Sequence, residues 1–535
     1  MREIETGVLI IGGGVTGSGV LRDLALRGIR CLLIDRRDLN AGASGGNHGL
    51  LHSGGRYAAS DIETAAECIR EGNILRRIAS GAIDPCDGLF VAIEGDDARF
   101  ADAFPRHCAA AGIPCQALSS QQALEREPGL TDRIIAAYQV PDASIDPFRI
   151  TLANVQHARL LGDNDFLPHT ELVGFEKSAD RITAAVCHDR KHGETLRIRA
   201  DQFVNASGAW SKIVAARAGC QDVNLLYSKG TLIISNARLS HGVVNRLRPP
   251  DDGDILVPGG TVSLLGTTSQ NLDSLEHINP SVDEVERILQ QGMQLIPELA
   301  HTRFIRAFSG VRPLLMSSGA GMDGRKASRG FALLDHEQAG VSNLASIFGG
   351  KLTTFRLMAE KTGDLVARRL AITTPCTTAD VPLPEHASVR WTEPGFAARH
   401  WYQRHDESDA ILCECEMVSK CVVDDIIDRS PGHETDMTLK AIGLRSRIGK
   451  GTCQGAFCGM RVTSYLYDRR FYQRHNGLQH LKNFLEERFK GIRPVLWGEQ
   501  MSQIELAETM HCGLMALDLL PKPDTEETAP SADDP

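Results

Sequence analysis

A run of closely spaced glycines follows the first apolar stretch of the chain. Gly12, Gly14 and Gly17 form the pattern GxGxxG directly after the strand-like residues Val8–Ile11. In that pattern the first glycine permits a tight turn, the second lets the backbone approach a pyrophosphate, and the third lets a helix pack closely on the strand. A second apolar run ends at Asp35, whose carboxylate is placed to accept hydrogen bonds from a ribose. These residues predict a dinucleotide site.

Segments that return to this site favour FAD over NAD. Residues 42–49 form a polar, glycine-rich loop with Ser44 and Asn47, whereas an NAD domain usually continues directly into its next helix. Asn205–Trp210 and Gly349–Lys351 each follow a later strand-like run, and the second opens a helix whose N-terminus suits the anionic N1–C2=O edge of a reduced flavin. Three such returns suit an extended FAD. The candidate cofactor-binding residues are Gly12, Gly14, Gly17, Asp35, Ser44, Asn47, Gly208, Gly349, Gly350, Lys351 and Thr353.

Four of the 14 cysteines form two close pairs. Cys413 and Cys415 give the pattern CxC, and Cys453 and Cys458 give CxxxxC. Four thiolates in this arrangement can bind zinc or an iron–sulfur cluster. The preceding run Gly449–Thr452 offers small residues and backbone amides that can donate to cluster sulfurs. The residues alone do not distinguish a zinc site from an iron–sulfur cluster.

At least two domains are needed to position these candidate residues. Residues 1–372 alternate strand-like and helix-like segments, which predicts one large α/β domain. A proline-containing stretch, 373–404, is interpreted as a linker, and 405–470 as a small cysteine-bearing domain. Residues 471–520 follow as helices, one of which has an apolar face that suits docking a partner or packing on the cysteine domain. The acidic, proline-containing tail, 521–535, is predicted to be disordered.

Composition limits the classes of partner. The net charge of −10 argues against general nucleic-acid binding, which needs a basic surface. No apolar run approaches the roughly 18–20 residues that span a bilayer, and the N-terminus lacks the pattern of a signal peptide. We therefore expect a cytoplasmic protein, and attachment to a membrane surface stays open.

Three stretches of the sequence resemble one family. Asn47–Tyr57, Ser309–Leu314 and Gly349–Arg356 resemble the corresponding stretches of FAD-dependent glycerol-3-phosphate dehydrogenases. The resemblance implies an α/β fold like that of D-amino-acid oxidase. In that fold a Rossmann-type FAD-binding domain is interleaved with a mixed-sheet substrate domain.

The cysteine-bearing domain resembles the small helical [2Fe-2S] domain of bacterioferritin-associated ferredoxin (BFD). Under this resemblance Cys413, Cys415, Cys453 and Cys458 hold the cluster, and Cys421 is a spare. Structural zinc is the alternative. With this domain the chain is similar to the A subunits of the anaerobic, multi-subunit branch of the dehydrogenase family.

The resemblance implies oxidation of sn-glycerol 3-phosphate to dihydroxyacetone phosphate, with FAD and a [2Fe-2S] cluster as cofactors. It also implies two partner subunits, B (flavin) and C (iron–sulfur, membrane anchor). Electrons would pass toward a quinone such as menaquinone, or toward fumarate. The complex would lie on the cytoplasmic face of the inner membrane, with this chain attached peripherally through its partners.

A phosphorylated substrate needs cationic, preferably bidentate, partners. Arg56 and Arg312 lie in glycine- or proline-bounded stretches, and Arg329 matches a phosphate-contacting arginine of the family. Tyr57 would add a hydroxyl donor. Each arginine could instead form a surface ion pair. The candidate substrate-binding residues are therefore Arg56, Tyr57, Arg312 and Arg329.

Oxidation of a secondary alcohol moves a hydride to flavin N5 while a base takes the hydroxyl proton. Lys351 would polarise the developing charge, and His48 and His52 are alternative bases. Aerobic, single-subunit relatives carry a catalytic histidine in a Lys-Gly-Ser-His stretch, but here Lys229-Gly230-Thr231-Leu232 ends in a leucine that takes no proton. The base therefore stays open. The candidate catalytic residues are His52, His48, Lys351 and Arg312.

Two other classes fit part of the sequence. An amino-acid or hydroxyproline dehydrogenase of the same fold needs only one cation for its carboxylate, whereas three candidate arginines favour a phosphate. A redox-sensing or electron-transfer protein would hold flavin and cluster without a substrate of its own. Flavin reduction by each metabolite separates these classes.

Overall fold

The computed structural model describes residues 2–276, 278–316, 330–384, 401–403, 406–428 and 437–520. Arg329 and the predicted tail, 521–535, lie outside these ranges. Two compact units divide the chain, one spanning 1–404 and the other 405–535.

The first unit is built of alternating strands and helices, as the sequence predicts. Its strands are β1 Arg2–Ile11, β2 Cys31–Ile34, β3 Leu50–Leu51, β4 Ile83–Asp84, β5 Gly88–Ile93, β6 Gln116–Leu118, β7 Ile134–Val140, β8 Ala143–Ile145, β9 Asp165–Leu167, β10 Thr170–Ser178, β11 Arg181–Asp189, β12 Glu194–Asn205, β13 Leu225–Ser235, β14 Val243–Arg246, β15 Ile255–Gly259, β16 Val262–Gly266, β17 Gln270–Leu272, β18 Phe304–Leu315, β19 Phe331–Asp335 and β20 Leu344–Gly349. Its helices are α1 Val15–Leu26, α2 Ile62–Ile78, α3 Ala98–Ala110, α4 Ser120–Arg126, α5 Pro147–Leu160, α6 Ser211–Arg217, α7 Val282–Leu295 and α8 Phe355–Arg369.

Strand β1 lies at the centre of the first sheet. It pairs in parallel with β2 and β12, and β9 and β20 extend the parallel part beyond them. Val8 and Ile10 face a core with α1, α5 and α8, whereas Leu9 and Ile11 face the core on the other side. A strand covered on both faces needs a continuous apolar run, which explains the sequence of β1. Strands β10, β11 and β19 join antiparallel, so the sheet is mixed.

A second mixed sheet carries the other half of the unit. Its strand order is β17-β13-β16-β15-β14-β5-β7-β6, with β18 also paired to β13. Because the strands of the two sheets alternate along the chain, neither half is a continuous segment. The α/β fold with two interleaved halves is thereby confirmed.

The segment interpreted as a linker is bound to the first unit in its initial part. Arg22 donates to the carbonyl of Thr378 at 3.4 Å, and Arg27 donates to the carbonyl of Thr374 at 3.2 Å. Arg356 donates to Thr378 Oγ1 at 3.1 Å. All three arginines are buried. Hydrogen bonds from buried cations therefore hold this stretch against α1 and α8.

The second unit is small and largely helical. Phe484 is 1 % exposed, and a Cβ added at Gly449 or Gly455 would lie 2.4 or 2.5 Å from its ring. Phe484 belongs to the helix Asn476–Ile492, whose predicted apolar face therefore packs on the cysteine-bearing loop of its own unit. The elements are β21 Ile411–Cys413, β22 Val418–Ser419, α9 Lys420–Asp428, α10 Leu439–Ser446, α11 Cys458–Asp468, α12 Asn476–Ile492 and α13 Glu499–Met515. In the described parts of the chain, each helix is too short or too polar to cross a bilayer.

Candidate functional site

The glycine-rich turn joins β1 to α1 at the carboxyl edge of the first sheet. Gly12 has a φ of 118°, a conformation that favours glycine, and its N–H donates to the carbonyl of Ile34 at 2.8 Å. A Cβ at Gly17 would lie 2.0 Å from the Gly12 carbonyl oxygen, so only glycine admits the helix this close. Helix α1 begins at Gly14 without a side-chain cap from that residue. Its N-terminal amides can therefore receive a phosphate.

Asp35 organises this turn from the end of β2. One carboxylate oxygen accepts from the N–H of Gly13 at 2.7 Å, and the other accepts from the N–H of Arg37 at 2.8 Å. Burial raises the pKa of Asp35 above its usual range. The carboxylate is therefore fixed beside the phosphate turn by two backbone donors.

The polar loop after β2 closes over the start of α1. Ser44 Oγ accepts from the N–H of Val15 at 2.9 Å. Asn47 Nδ2 donates to the carbonyls of Ala43 at 3.0 Å and Ser44 at 2.7 Å, and Asn47 Oδ1 accepts from the N–H of Gly49 at 2.8 Å. Asn47 thus shapes the loop, and Ser44 attaches it to the helix N-terminus.

Two later segments return to the same edge, as the sequence predicts. Asn205, at the end of β12, pairs with Ile11 on one side and with Ser346 of β20 on the other. Gly349, the last residue of β20, and Gly350, which follows it, have φ values of 84° and 67°. Carboxyl ends of adjacent parallel strands meet at one edge, which is where open α/β sheets bind ligands.

These segments surround a cavity of about 890 Å³. The volume lies in the range of cofactor pockets. With the helix N-terminus, the glycine turns and the ordered carboxylate, the cavity fits FAD. Gly17 and Thr353 pack behind the wall rather than forming it. The predicted residues on the wall are Gly12, Gly14, Asp35, Ser44, Asn47, His48, His52, Tyr57, Gly208, Arg312, Gly349, Gly350 and Lys351.

His48 is a neutral side chain in this site. Its Nδ1 accepts from the N–H of Leu50 at 3.1 Å, and its ring centroid lies 5.9 Å from that of His52. Burial, with the positive charges of Arg312 and Arg56, lowers the pKa of His48 to about 3. Because Nδ1 accepts, the ring proton is on Nε2. His48 therefore presents a donor, rather than a proton acceptor, from Nε2.

His52 is held beside it by its backbone and its neighbours. The N–H of His52 donates to Thr353 Oγ1 at 3.1 Å, and the ring centroid lies 5.3 Å from that of Tyr57. Thr353 is fully buried. The structure thus places Thr353, a predicted cofactor contact, as a support for His52.

Arg312 extends from β18 across the floor of the cavity. Its guanidinium donates to Ser228 Oγ at 3.3 Å, to the Thr268 carbonyl at 3.2 Å and to Thr267 Oγ1. It lies flat over Gly230, where a Cβ would approach to 2.3 Å. These bonds orient the guanidinium on the cavity wall.

Arg56 has a different environment. It forms an ion pair with Asp254 at 2.9 Å, with side chains that are 10 % and 1 % exposed. It also donates to the carbonyl of Arg246 at 3.3 Å. Among the described residues that form the cavity wall, Arg56 is not included. The charge of Arg56 is thus paired within the first unit, and Arg329 lies outside the described residues.

The position of the family's catalytic histidine is apolar here. Leu232 is 1 % exposed to solvent and lies on the cavity wall. Lys229, at the start of the same stretch, forms a buried ion pair with Glu284 at 2.9 Å. Neither side chain is placed to take a substrate proton.

Two further residues on the cavity wall, Arg36 and Trp210, are outside the predicted set of site residues. The Arg36 guanidinium carbon lies 4.8 Å from the ring centroid of Trp210, and both residues are on the cavity wall. Arg36 directly follows Asp35, but no local pattern joins it to a residue so distant in sequence. Only the paired strands β2, β1 and β12 bring the two together.

The four paired cysteines converge in the second unit. Cys415 Sγ lies 3.8 Å from Cys413 Sγ and 3.7 Å from Cys453 Sγ. Cys458 begins α11 and is 1 % exposed. A Cβ at Gly451 would lie 2.7 Å from Cys415 Sγ. The small residues before Cys453 thus leave room around the sulfurs, a donor set that fits a thiolate-bound metal centre.

Cys421 is bound elsewhere. Its Sγ lies 2.9 Å from Asp409 Oδ2 and 3.3 Å from Ser419 Oγ. Its N–H donates to Asp409 Oδ1 at 2.9 Å. Cys421 is exposed, whereas Cys413 is buried. This arrangement is consistent with its interpretation as a spare thiol.

A glycine-rich turn at a helix N-terminus, an ordered carboxylate and an extended cavity at the carboxyl edge of a parallel sheet define a dinucleotide-binding protein. The FAD dependent oxidoreductase family matches residues 7–365. The chain is 40 % identical over 532 residues to the A subunit of anaerobic glycerol-3-phosphate dehydrogenase from Escherichia coli K12, covering 96 % of this chain and 97 % of the relative. The chain therefore belongs to the FAD dependent oxidoreductases and, within them, to the family of anaerobic glycerol-3-phosphate dehydrogenase A subunits.

A second relative and a solved structure also match most of the chain. The A1 subunit of the same enzyme from Haloferax volcanii is 37 % identical over 540 residues, covering 96 % of this chain and 91 % of the relative. The glycerol-3-phosphate dehydrogenase from Bacillus halodurans, solved with FAD, has a TM-score of 0.65 at 21 % identity, covering 92 % of this chain and 97 % of that chain. At 21 % identity, this structural similarity supports the fold alone. The recognition of the family, the fold and the FAD cofactor is thereby confirmed.

Proposed function

We propose that the chain oxidises sn-glycerol 3-phosphate to dihydroxyacetone phosphate and passes the electrons through a [2Fe-2S] cluster toward a quinone. The observation that carries this proposal is the meeting of Arg312 and Lys351, two cations, on the wall of the cavity that contains the glycine-rich turn. A doubly charged phosphate needs such partners near the flavin. The names of the full-length relatives agree with this substrate.

Arg312 is the proposed phosphate ligand. Its guanidinium is oriented by Ser228 and Thr267, so it needs little reorganisation to meet a phosphate. Arg56 would influence the phosphate only indirectly, because its charge is paired with Asp254. The predicted contributions of Tyr57 and Arg329 stay predictions.

His52 is the proposed base, in preference to His48. His48 has Nδ1 engaged by the N–H of Leu50 and a pKa of about 3. A ring in that state donates a hydrogen bond to the substrate oxygen instead of removing its proton. Lys351 would stabilise the negative charge on that oxygen as the proton leaves. FAD, when bound, supplies the hydride acceptor.

The second unit would hold the cluster through Cys413, Cys415, Cys453 and Cys458. Support comes from the close sulfurs and from Gly451, which leaves space and a backbone amide beside Cys415. A [2Fe-2S] centre accepts electrons singly, which suits onward transfer of the pair released by alcohol oxidation. Visible absorption, metal analysis and electron paramagnetic resonance after reduction separate the cluster from zinc.

Partner proteins complete the proposal. The names of the relatives designate A subunits, which implies further subunits in their enzymes. We infer that B (flavin) and C (iron–sulfur) subunits bind this chain, and that the second of them anchors the complex to the cytoplasmic face of the inner membrane. Separation of membranes from cell extract, with and without these partners, tests that placement.

Anaerobic mixing with substrate tests the reaction. Purified full-length chain is mixed with sn-glycerol 3-phosphate, and the flavin absorbance is followed over time. We expect bleaching by glycerol 3-phosphate, and none by glycerol, L-proline or hydroxyproline. Bleaching by an amino acid alone would assign the rival dehydrogenase class. A flavin that no metabolite reduces would indicate an electron-transfer protein.

A further inference from the structure

A chain of hydrogen bonds connects the surface of the first unit to the cavity wall. Nδ1 of His336 lies 3.0 Å from a carboxylate oxygen of Asp222, and Nε2 lies 2.7 Å from Ser346 Oγ. Asn205 Nδ2 donates to Ser346 Oγ at 2.9 Å, and Ser207 Oγ donates to Asn205 Oδ1 at 2.6 Å. The three middle residues are 0 % exposed, the Asp222 side chain is 39 % exposed, and Ser207 lies on the cavity wall. The chain is thus continuous from solvent to the FAD site.

The direction of each bond follows from the groups at its ends. A carboxylate only accepts, so the imidazole proton is on Nδ1, and Nε2 accepts the proton of Ser346. The Asn205 amide donates its second N–H to the carbonyl of Ser211 at 2.9 Å. Its oxygen therefore faces Ser207 and accepts both the hydroxyl and, at 3.3 Å, the backbone N–H. The single hydroxyl proton of Ser207 is thereby directed away from the cavity.

Backbone geometry keeps this chain next to the phosphate turn. Asn205 and Ser346 are direct partners at the carboxyl ends of two parallel strands. A Cβ at Gly12 would lie 2.8 Å from the Cα of Ser207, so Ser207 packs directly against the turn. The chain of hydrogen bonds therefore ends at a residue that packs against the glycine-rich turn.

A metal site at the outer end is the competing assignment. Cys220, Asp222 and His336 each place one ligand atom within 4.8 Å of the others. Both ring nitrogens of His336 already take part in hydrogen bonds, and binding a metal through Nδ1 would require loss of the proton held there. That would leave the buried Ser346 hydroxyl without its acceptor, which is costly. The hydrogen-bonded chain is therefore the better explanation.

We propose that Asp222 and His336 are positioning residues that hold the Ser207 hydroxyl as an acceptor for a hydroxyl group of bound FAD. An oxygen that offers only lone pairs attracts an O–H of the ribityl or ribose and repels a phosphate oxygen. The proposal rests on FAD binding in this cavity, and the identity of the oxidised substrate does not affect it.

The test is FAD release from the full-length holoprotein, followed by the fluorescence of FAD free in solution. Ser207→Ala and His336→Ala should each accelerate release by about fivefold, the effect of one lost hydrogen bond. The double variant should release FAD no faster than Ser207→Ala alone, since both changes remove the same interaction. If His336→Ala accelerated release as much in the Ser207→Ala background as in the parent chain, the proposal would be overturned.

Two further variants make the test independent of folding. Asp222→Ala removes the acceptor of His336 Nδ1 by altering an exposed side chain, so it decides the matter if His336→Ala yields no holoprotein. We expect faster release that disappears in the Ser207→Ala background, and an unchanged rate would count against the proposal. His192→Ala is the matched control, because His192 lies 2.8 Å from Asp189 in an exposed pair whose residues are not among the described cavity residues. Release should be unaltered there, and acceleration equal to that of His336→Ala would also overturn the proposal.

Discussion

The ammonium nitrogen of Lys351 lies 4.7 Å from the centroid of the Tyr57 ring. Both side chains are on the cavity wall, and the His52 ring lies 5.3 Å from the same tyrosine. A cation, a phenol and an imidazole therefore meet within one short stretch of the wall. An aromatic face attracts a neighbouring ammonium group and so helps to hold it in place.

Lys351→Met should lower kcat by about 100-fold, because it removes the charge proposed to stabilise the substrate oxygen. FAD content, measured from the flavin absorbance, should stay close to that of the parent chain. Tyr57→Phe is the matched variant, since it keeps the aromatic face and removes only the hydroxyl. If both variants lost kcat equally, the hydroxyl rather than the lysine charge would be responsible.

Arg312→Ala should raise the KM for glycerol 3-phosphate about tenfold to a hundredfold, the effect of losing a charged hydrogen bond. FAD should remain bound. Arg312→Lys should recover part of the loss, since it restores the charge without the bidentate fork. Steady-state kinetics on all three proteins provides the comparison. An unchanged KM in Arg312→Ala would remove this residue from the phosphate site.

His48 should make stability depend on pH. Its pKa is about 3 in the folded chain, against 6.5 for an ordinary histidine. Between those values the unfolded chain binds a proton that the folded chain does not, so stability falls as pH falls below about 6.5. Above that pH both states are neutral and His48 has no such effect. His48→Gln removes this dependence.

Thermal melts across the pH range measure the effect. The difference in Tm between the parent chain and His48→Gln should be constant above about pH 7 and should shift in favour of the variant toward about pH 4. The contributions of other titrating groups cancel in that difference. A pH-independent difference would mean that His48 titrates normally in the folded chain.

Cys453→Ser should abolish the proposed cluster and leave flavin reduction by substrate intact. The cysteine lies 3.7 Å from Cys415 Sγ in the second unit, whereas the described residues that line the flavin cavity belong to the first unit. Cys421→Ser is the matched control, because that thiol is bound to Asp409. Iron analysis, paramagnetic resonance and stopped-flow bleaching provide the readouts. Iron loss in the control, or loss of bleaching in a folded, FAD-containing Cys453→Ser, would contradict the assignment.

Local spacing was sufficient to predict the cofactor half of the site. Gly12, Gly14 and Gly17 act through backbone conformation and close packing, and both depend on residue type at short range. Gly349 and Gly350 were predictable for the same reason, since a strand followed by glycines and a helix places them at the edge of the sheet. The family resemblance then supplied the substrate, which no local pattern encodes.

The substrate half depended on distant contacts. Arg56 and Arg312 have similar local sequences, yet one pairs with the buried Asp254 and the other lies on the cavity wall. His48 and His52 are likewise equivalent by type, but burial, nearby cations and the Leu50 amide make the first a poor base. Charge state and hydrogen-bond direction depend on what surrounds a side chain in space.

The order of the amino acids alone therefore established the phosphate turn, the FAD cofactor and the family. Folding established which ionisable groups face the cavity, which are neutralised, and that the Ser207 hydroxyl bonds to Asn205. The physical reason is the distance along the sequence over which each kind of interaction acts. Backbone conformation and packing of a turn are set by neighbours in sequence, whereas desolvation, ion pairing and hydrogen-bond networks are set by residues that come together only when β1, β12 and β20 pair.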